Sequence, residues 1–425
     1  MKLFIICLAP IISILPTFGQ DSTHNQEPTQ NTITWSGFVK NDFFYDTRQN
    51  ITVREGHFLL YPKAPKPDED GKDINSTASL NFLSIQSRLT AKITGPDALG
   101  ARTSGLIEGA FFGHSKGDIN GFRLRHAFVK LNWPQTELLF GQYWHMMFVP
   151  ECFPGTISFN TGVPFQYFSR NPQIRITQKL NTSIRFSFAA ATQRDFTSPG
   201  GYTSLSNTTI PDVHGQLHVS ASENIVFGIT GGFKTLKPRL VTEKNYKTTQ
   251  TISSFTGNMY TRIHTSPLTI KLQGIWAQNA YDGLMIGGFM ITDISPTKDF
   301  RTYTPLNTLS MWTDIETKGS TWQAGIFAGF SKNMGSTNSI NNSVLHTDIQ
   351  SVYNRGRDID FLYRISPRIQ ANFEKLRIAS EVELTSTAYG TQSESDELHI
   401  NNYGQITESK MVHNVRLLMS VYYFF

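Results

Sequence analysis

The C-terminal stretch 412–425 places the strongest restriction on how this chain can fold. One alternating set of its side chains is wholly apolar and consists of Val415, Leu417, Met419, Val421, Tyr423 and Phe425. The other set begins polar, ends aromatic and consists of Asn414, Arg416, Leu418, Ser420, Tyr422 and Phe424. Because successive side chains of a strand point to opposite faces, the stretch predicts a strand with one apolar side. Such a strand suits either the edge of a soluble sheet or the closing strand of a membrane barrel.

The stretch 80–94 alternates in the same way over a greater length. Leu83, Ile85, Leu89, Ala91 and Ile93 share one face, and Ser84, Gln86, Arg88, Thr90 and Lys92 share the other. A soluble sheet with one wet face shows the same alternation. The predicted strand is, however, longer than the roughly 3–10 residues usual in globular proteins, which favours a membrane barrel.

Short and long connections alternate between the predicted strands along the whole chain. The first five strands are predicted at 33–45, 80–94, 103–112, 122–132 and 136–143. Two further strands meet near Asn181, and the second of them ends at Gln193. The remaining strands are predicted at 213–220, 225–234, 252–264, 268–278, 306–316, 321–331, 358–373, 376–388 and 412–425. Bacterial outer-membrane barrels have even strand numbers, with short turns at one end and long loops at the other. The predicted fold is therefore an all-β, transmembrane, antiparallel β-barrel of about 16 strands, with short periplasmic turns and long extracellular loops.

Two registers depart from this regularity. In 122–132 the polar and apolar sides change places, which predicts a β-bulge. The apolar run 284–291 is either a segment of a long loop or an additional strand. The stretch from 46 to 77 is read as a long polar connection that contains Pro62, Pro65 and Pro67.

Composition excludes other membrane architectures. After the N-terminus, no stretch approaches the roughly 20 apolar residues that a spanning helix needs. Aromatic residues make up 12% of the chain, with 31 phenylalanines. Two aromatic girdles around a barrel would use this many aromatic residues.

The N-terminus predicts export. Residues 1–19 read as a cleaved signal peptide, in which Lys2 precedes an apolar run and small residues precede the cleavage point. Residues 20–32 are predicted to be a short flexible segment and 33–425 a single barrel. Signal removal leaves Cys152 as the one cysteine, so no intramolecular disulfide is expected. The formal net charge is +5 at pH 7, which is too weak to indicate nucleic-acid binding.

The lumen is predicted to be lined by charged side chains on the polar sides of the strands. A lysine or arginine facing lipid near the midplane costs about 2–4 kcal/mol, so these side chains should face water. The basic residues of this set are Lys40, Arg88, Lys92, Arg123, Arg125, Arg175, Lys179, Arg185, Lys271, Arg364, Arg368, Arg377 and Arg416. The acidic residues are Asp42, Glu108, Asp360, Glu381 and Glu383. Rings of arginine and lysine favour anions, whereas pairing with the acidic residues would leave a wet lumen without selectivity.

The stretch 144–171 is the candidate constriction loop. It follows the fifth predicted strand and is long and rich in Phe, Pro and Gly. Loops of this length are more often functional than not. Glu151 and Arg170 are its charged candidates; an ordinary surface loop or a trimer contact is the alternative.

Four motifs resemble a known family. They are SGFVKNDFFYD at 36–46, RLRHAFV at 123–129, GQYW at 141–144 and RISPR at 364–368. Together they resemble the DcaP-like porins of the Gram-negative outer membrane. Within that family the chain resembles a member of the Bacteroidetes type. The resemblance implies a homotrimer of 16-stranded barrels that passes small anionic solutes such as dicarboxylates.

The same resemblance implies the partners of the chain. They are the lipid bilayer, the lipopolysaccharide of the outer membrane and the barrel-assembly machinery, which reads a last strand such as the one ending at Phe425. Some family members carry an N-terminal coiled coil, but 20–32 contains no heptads. A coiled-coil reinforcement of the trimer is therefore not expected here.

The sequence favours a passive porin over two alternatives, a structural or adhesive barrel with a blocked lumen and a barrel hydrolase with His126 or His145 as base. No cofactor and no metal are expected. His214 and His218 are four residues apart, which in a strand separates them by about 13 Å, too far to share one ion. The glycines of 283–288 lack a following helix, so a nucleotide-binding loop is not indicated.

Overall fold

The computed structural model describes residues 31–113, 118, 120–394 and 397–425. The predicted signal peptide 1–19 and most of the segment 20–32 lie outside these residues. The strands are β1 (Thr32–Asp46), β2 (Asn50–Val53), β3 (Phe58–Pro62), β4 (Ser79–Leu83), β5 (Arg88–Thr94), β6 (Arg102–Ala110), β7 (Arg123–Asn132), β8 (Thr136–Trp144), β9 (Arg170–Lys179), β10 (Ile184–Ala191), β11 (Asp212–Ser220), β12 (Ile225–Leu236), β13 (Ile252–His264), β14 (Leu268–Gln278), β15 (Gly287–Ile294), β16 (Arg301–Thr317), β17 (Trp322–Ser336), β18 (Asn354–Arg355), β19 (Ile359–Phe373), β20 (Leu376–Gly390) and β21 (Ser409–Phe424).

Sixteen antiparallel strands close into a barrel wall, as the alternation predicted. Neighbours in sequence pair around the wall, β4 and β5 act together as one strand, and β1 pairs with β21 to close the ring. The closing register sets Val39 opposite Tyr423 and Tyr45 opposite Leu417. These four side chains belong to the outward apolar faces of β1 and β21, so the C-terminal stretch occupies the position its pattern requires.

The connections divide the barrel into a turn end and a loop end. Short turns such as 133–135, 180–183 and 374–375 lie at the turn end, and the long connections lie at the loop end. The loops contain α1 (Tyr202–Ser206), α2 (Asn342–Leu345) and 3₁₀ turns at Ile74–Ser76, Ala280–Gly283 and Asp348–Tyr353. Within the described ranges, none of the helices has the length and apolarity needed to cross a membrane.

The outer surface of the wall is apolar and the inner surface is polar. Aromatic side chains that are exposed on the outside at the turn end include Trp35, Trp322, Phe373, Tyr423 and Phe425. Tyrosine and tryptophan prefer the membrane interface because one part of the ring is apolar and the other can reach water. The outer wall therefore matches a lipid bilayer, and charged groups turn inward.

The bulge predicted in 122–132 is present. The pairing of β6 with β7 shifts between Glu108 and Gly109, so that Glu108 pairs with His126 and Gly109 with Leu124. Arg125 is the extra residue, and both Arg125 and His126 are buried. A bulge turns two consecutive side chains towards the same side, which brings Arg125 next to Glu108.

The connection 46–77 is not a wholly polar stretch. It contains the β2–β3 hairpin, whose residues Phe58, Leu59, Leu60 and Tyr61 are all buried. The apolar run 284–291 is partly a strand, because β15 extends β16 at the loop end and also touches β18. Neither segment belongs to the barrel wall; both place apolar side chains among buried residues of the interior.

Loop 145–169 between β8 and β9, called the inner loop below, folds into the barrel. Phe148, Phe159, Phe165 and Phe168 of this loop join the main apolar cluster with Phe58 of β3. Charged residues of the barrel wall bind the backbone of the inner loop, as described in the next section. The barrel interior is therefore packed around the inner loop by apolar contacts and by polar anchors.

Candidate functional site

An arginine cluster lies on the inner wall where β5, β6 and β7 face the inner loop. It combines residues from the wall, the first long connection and the inner-loop end of β9. Its members are Arg54, Arg88, Arg123, Arg125 and Arg170, together with the carboxylates Glu108 and Asp195.

Asp195 is the acceptor for one half of the cluster. Its carboxylate lies 2.5 Å from Arg123 Nη2 and 2.8 Å from Arg170 Nη2, and Arg54 Nη2 lies 3.7 Å away. Burial by itself raises the pKa of Asp195, but the charges of Arg170 and Arg123 outweigh it and hold the pKa below its usual value. Asp195 therefore remains ionised and ties loop 192–211 to the wall.

Glu108 is the acceptor for the other half. Arg125 Nε donates to Glu108 Oε1 at 2.6 Å, and Arg88 Nε lies 3.8 Å from the same oxygen. Thr90 Oγ1 donates to the second carboxylate oxygen at 3.1 Å. The β7 bulge makes the contact with Arg125 possible, since regular alternation would not place both Arg125 and His126 inward.

Aromatic rings support the guanidinium groups from the side of the inner loop. Arg125 lies 5.6 Å from the ring centre of Phe159, and Arg170 lies 5.1 Å from Trp144 and 5.2 Å from Phe168. Cation–π contacts stabilise a guanidinium group without neutralising its charge. The rings thus fix the positions of the arginines and leave the positive potential intact.

The cluster carries an excess of positive charge. Even without Arg54, the four guanidinium groups of the cluster on β5, β7 and β9 face two carboxylates among the described residues. Within the part of the chain that the structure describes, the buried nitrogen atoms Arg88 Nε, Arg125 Nη1 and Arg170 Nη1 lack a hydrogen-bond partner. Buried donors without partners are costly, so an acceptor such as a carboxylate or phosphate oxygen would be bound here with little competition from the protein.

The space beside the cluster is narrow. Arg123, Arg125 and Arg170 line it together with Phe112 and Phe159, and it has room for about one water molecule. A larger anion therefore needs the inner loop or the arginine side chains to move.

The wall from β14 through β16, β19, β20 and β21 to β1 is also rich in charge, but its charges are closely paired. Arg368 bonds to Asp314 at 2.6 Å and to Glu316 at 3.0 Å, while Arg416 bonds to Asp46 at 2.7 Å. Glu383 lies 3.7 Å from Arg364 Nη1 and 3.9 Å from Arg416 Nε. Two further ion pairs join Lys271 to Glu316 and Lys40 to Asp42. This wall offers few uncompensated charges.

The paired wall anchors the inner loop through its backbone. Glu381 accepts from the amides of Ile157 and Ser158, and Arg364 Nη1 donates to Val163 O at 2.7 Å. Asp314 accepts from the amide of Gly155 at 2.9 Å, and Lys40 Nζ donates to Ile157 O at 2.9 Å. The loop is thus fixed against the paired wall and faces the arginine cluster with its aromatic side chains.

The remaining predicted lumen residues lie apart from the cluster. Arg185 pairs with Glu151 of the inner loop. Arg175 Nη2 donates to Trp144 O at 2.6 Å, and Arg377 Nε donates to Asn372 Oδ1 at 2.7 Å. Lys92 and Lys179 are exposed near the turn end.

Asp360 departs from the prediction. The register of β19 shifts between Ile359 and Phe361, so simple alternation fails at this position. Asp360 instead pairs at 3.2 Å with Lys332, whose in-register neighbour is the outward Phe361. Asp360 therefore belongs to an ion pair on the outer side of the wall.

Sequence reasoning missed several charged residues of the interior. Asp314 and Glu316 alternate on one face of β16, and Asp46 continues the face of Asp42 on β1, so the periodicity that found their neighbours could have included them. Arg54 and Asp195 lie in loops, where no periodicity marks an inward side chain.

The two histidines named for a hydrolase have other surroundings. His145 contacts Asp212 and the amide of Met147, while the His126 ring lies 5.1 Å from that of Trp144 and 5.5 Å from that of Tyr143. Within the described residues, neither imidazole has a serine hydroxyl as hydrogen-bond partner, so these contacts do not form a nucleophile–base pair.

No protein-family model matches the chain, and no curated protein sequence is detectably similar to it. Solved structures are similar. The outer membrane channel DcaP of Acinetobacter baumannii has a TM-score of 0.65 and 14% identity, over 93% of this chain and 97% of that channel. An anion-selective porin from Comamonas acidovorans has a TM-score of 0.54 and 10% identity, over 93% and 100%. OmpT from the outer membrane of Vibrio cholerae has a TM-score of 0.54 and 9% identity, over 94% and 100%. The chain therefore shares the barrel fold of the DcaP channel, as the motifs predicted.

Proposed function

We propose that this chain is an outer-membrane porin through which small hydrophilic anions diffuse passively. The observation that carries the proposal is the positive excess of the arginine cluster, with its buried donors at Arg88, Arg125 and Arg170. A dry, positively charged wall attracts anions and repels cations. The similarity to DcaP and to a porin described as anion-selective supports this choice.

The shape of the site supports a preference for dicarboxylates. A carboxylate forms two parallel hydrogen bonds with one guanidinium group, and the cluster presents several guanidinium groups at different heights on β5 and β7. The inner loop, which contains Glu151 and is followed directly by Arg170, sets the size limit. The functional unit is a homotrimer, exported by the signal peptide 1–19 and assembled through the strand that ends at Phe425.

A barrel with a blocked lumen is the second candidate. Its support is the packing of the interior: Lys40, Arg364 and Arg416 are at most 2% exposed, and the cluster has room for about one water molecule. In this case the long loops would bind partners and the arginines would serve only to fix the inner loop.

Single-channel recording in a planar bilayer with a salt gradient tests the proposal. For the wild-type protein we expect stable conductance and a reversal potential whose sign shows that anions permeate more readily than cations. Arg125→Gln removes one guanidinium group and should lower the anion-to-cation permeability ratio by about twofold or more, since one of roughly two uncompensated charges is lost. Lys318→Gln removes an equal charge from an exposed turn and should leave the ratio unchanged.

Conductance without anion preference would contradict the role of the cluster. Absence of conductance in correctly folded protein would support the blocked barrel instead. Liposome swelling with sugars of graded size gives an independent answer, because a blocked barrel passes none of them.

A further inference from the structure

A second group of interacting polar side chains lies at the base of the inner loop. His145 is the first residue of that loop, and Asp212 and His214 lie on the inner face at the loop end of β11. His145 Nε2 is 3.3 Å from Asp212 Oδ2, and His214 Nδ1 is 3.5 Å from Asp212 Oδ1. One ligand atom from each of the three residues lies within 4.8 Å of the others.

The carboxylate of Asp212 needs a positive charge that the protein does not supply directly. Its side chain is 2% exposed, and within the described part of the chain its ion-pair contacts are the two imidazoles. The nearby ammonium group of Lys234 bonds to Asp282 instead. A buried, unpaired carboxylate is strongly disfavoured, so either a proton on an imidazole or a bound cation must balance Asp212.

The backbone leaves space for the imidazole of His214. A Cβ atom at Gly232, the neighbour of His214 on β12, would lie 2.1 Å from His214 Cδ2. Only glycine permits the Cδ2–Nε2 edge of the ring to come this close to the strand. The position of the ring over Gly232 directs its Nδ1 towards Asp212.

We propose that His145, Asp212 and His214 bind a divalent first-row transition-metal ion such as Zn²⁺. Two imidazole nitrogens and one carboxylate oxygen are typical Zn²⁺ ligands, and bonds of about 2.0–2.2 Å place the donor atoms of a tetrahedral site roughly 3.3–3.5 Å apart. Each imidazole already has this spacing to Asp212, His145 to Oδ2 and His214 to Oδ1, so the carboxylate lies between the two rings. All three ligand atoms lie within 4.8 Å of one another, so the group must contract by about 1 Å at most to hold the ion, and a tetrahedral site then keeps a fourth position for water.

Metal binding would act on the base of the inner loop. The amide of Met147 donates to His145 Nδ1 at 3.3 Å, so the ring proton of a neutral His145 is on Nε2. Coordination at Nε2 uses the lone pair of that nitrogen, so the ring proton moves to Nδ1. The Nδ1–H group then points at the N–H group of Met147, and both groups are donors. The hydrogen bond is lost, and the first turn of the inner loop must move.

Zn²⁺ binding to the folded barrel tests the proposal without requiring that it conduct. We expect one Zn²⁺ per chain by calorimetry after removal of bound metal, and an affinity lower by about tenfold or more in Asp212→Asn and in His214→Ala. His218→Ala is the matched control, because His218 is buried on the same face of β11 but bonds to Tyr260. Far-ultraviolet circular dichroism checks that each variant is folded.

Several outcomes would overturn the proposal. These are absence of Zn²⁺ binding to wild type, an equal loss of affinity in His218→Ala, and unchanged affinity in Asp212→Asn. If the chain conducts, as proposed above, Zn²⁺ should also change the conductance of wild type but not of His214→Ala. Intact Zn²⁺ binding without any change of conductance would overturn the action of the metal on the inner loop and would leave the metal site itself supported.

Discussion

At the scale of single residues, an arginine side chain has one effect in the arginine cluster and another on the closely paired part of the wall. Arg368 bonds to both Asp314 and Glu316 and contributes little net field. Arg125 shares Glu108 with Arg88, and its Nη1 has no hydrogen-bond partner among the described residues. The number of carboxylates near an arginine, and not the arginine itself, decides whether it can attract an anion.

Asp195 should be the carboxylate on which the stability of the cluster depends most. Asp195→Asn leaves Arg123 and Arg170 buried without their shared counter-ion. Removing one partner of a buried ion pair typically costs about 3–5 kcal/mol. We expect the free energy of unfolding in urea to fall by about 3 kcal/mol or more, measured by tryptophan fluorescence in detergent micelles.

Asp360→Asn supplies the comparison. Asp360 pairs with Lys332, whose side chain is 43% exposed, and exposed pairs contribute about 0–1 kcal/mol. Equal losses of stability in Asp195→Asn and Asp360→Asn would show that Asp195 is not a structural counter-ion.

At the scale of the elements, two local irregularities fix how β6, β7 and β8 pair. The first is the bulge at Arg125. The second is Gly141 in β8, which has φ +130° and lies opposite Phe128. A Cβ atom at Gly141 would lie 2.2 Å from the carbonyl oxygen of Ala127, so the strands approach here as only glycine allows.

Gly141→Ala should therefore disrupt the β7–β8 pairing. The φ of this position is rare for any residue with a side chain, and the close approach to Ala127 adds a direct clash. We expect the free energy of unfolding to fall by more than about 2 kcal/mol. Gly231→Ala in β12 is the matched control, because nothing lies within 4 Å of its added Cβ; it should change stability by less than about 1 kcal/mol. A mild effect of Gly141→Ala would mean that β7 can shift away.

The strands could be predicted because a membrane barrel imposes one rule on every strand. Lipid outside and polar groups inside force alternation, so stretches such as 80–94 and 412–425 reveal both their conformation and their faces. Loops obey no such rule. Phe58 to Tyr61 gave no sign that the hairpin β2–β3 would fold inward, because four apolar residues in a row have no period of two.

The site could be predicted only where it lies on regular strands. Arg88, Arg123 and Glu108 follow from alternation, whereas Arg54 and Asp195 reach the cluster from loops. His145 and His214 come together across two elements, whereas the sequence compared His214 only with His218 and found the two too far apart to share an ion. Contacts between distant segments depend on the path of the loops, which local sequence does not encode.

At the scale of the whole molecule, the wall acts as a rigid support for one long loop. Closure by β1 and β21 removes sheet edges, and the paired wall holds the inner loop through charged side chains. The width of the passage beside the arginine cluster therefore depends on how firmly the inner loop is anchored.

Cys152 offers a direct measure of that anchoring. It lies in the inner loop, is fully buried and is the one cysteine of the described residues. Burial raises the pKa of its thiol to about 12, so the reactive thiolate is scarce at neutral pH. A water-soluble maleimide should label the native protein slowly, and any variant that releases the inner loop should be labelled faster.

Glu381→Ala removes the acceptor of the Ile157 and Ser158 amides and should release the middle of the inner loop. We expect Cys152 to react about tenfold faster or more, and liposomes to admit larger sugars than they do with wild type, because local opening exposes both the thiol and the passage. Val382→Ala changes the adjacent, outward side chain, which is 39% exposed, and should react at the wild-type rate. Equal labelling rates in Glu381→Ala and wild type would mean that aromatic packing alone holds the loop. Faster labelling without a larger size limit would place the narrowest point of the passage outside the inner loop.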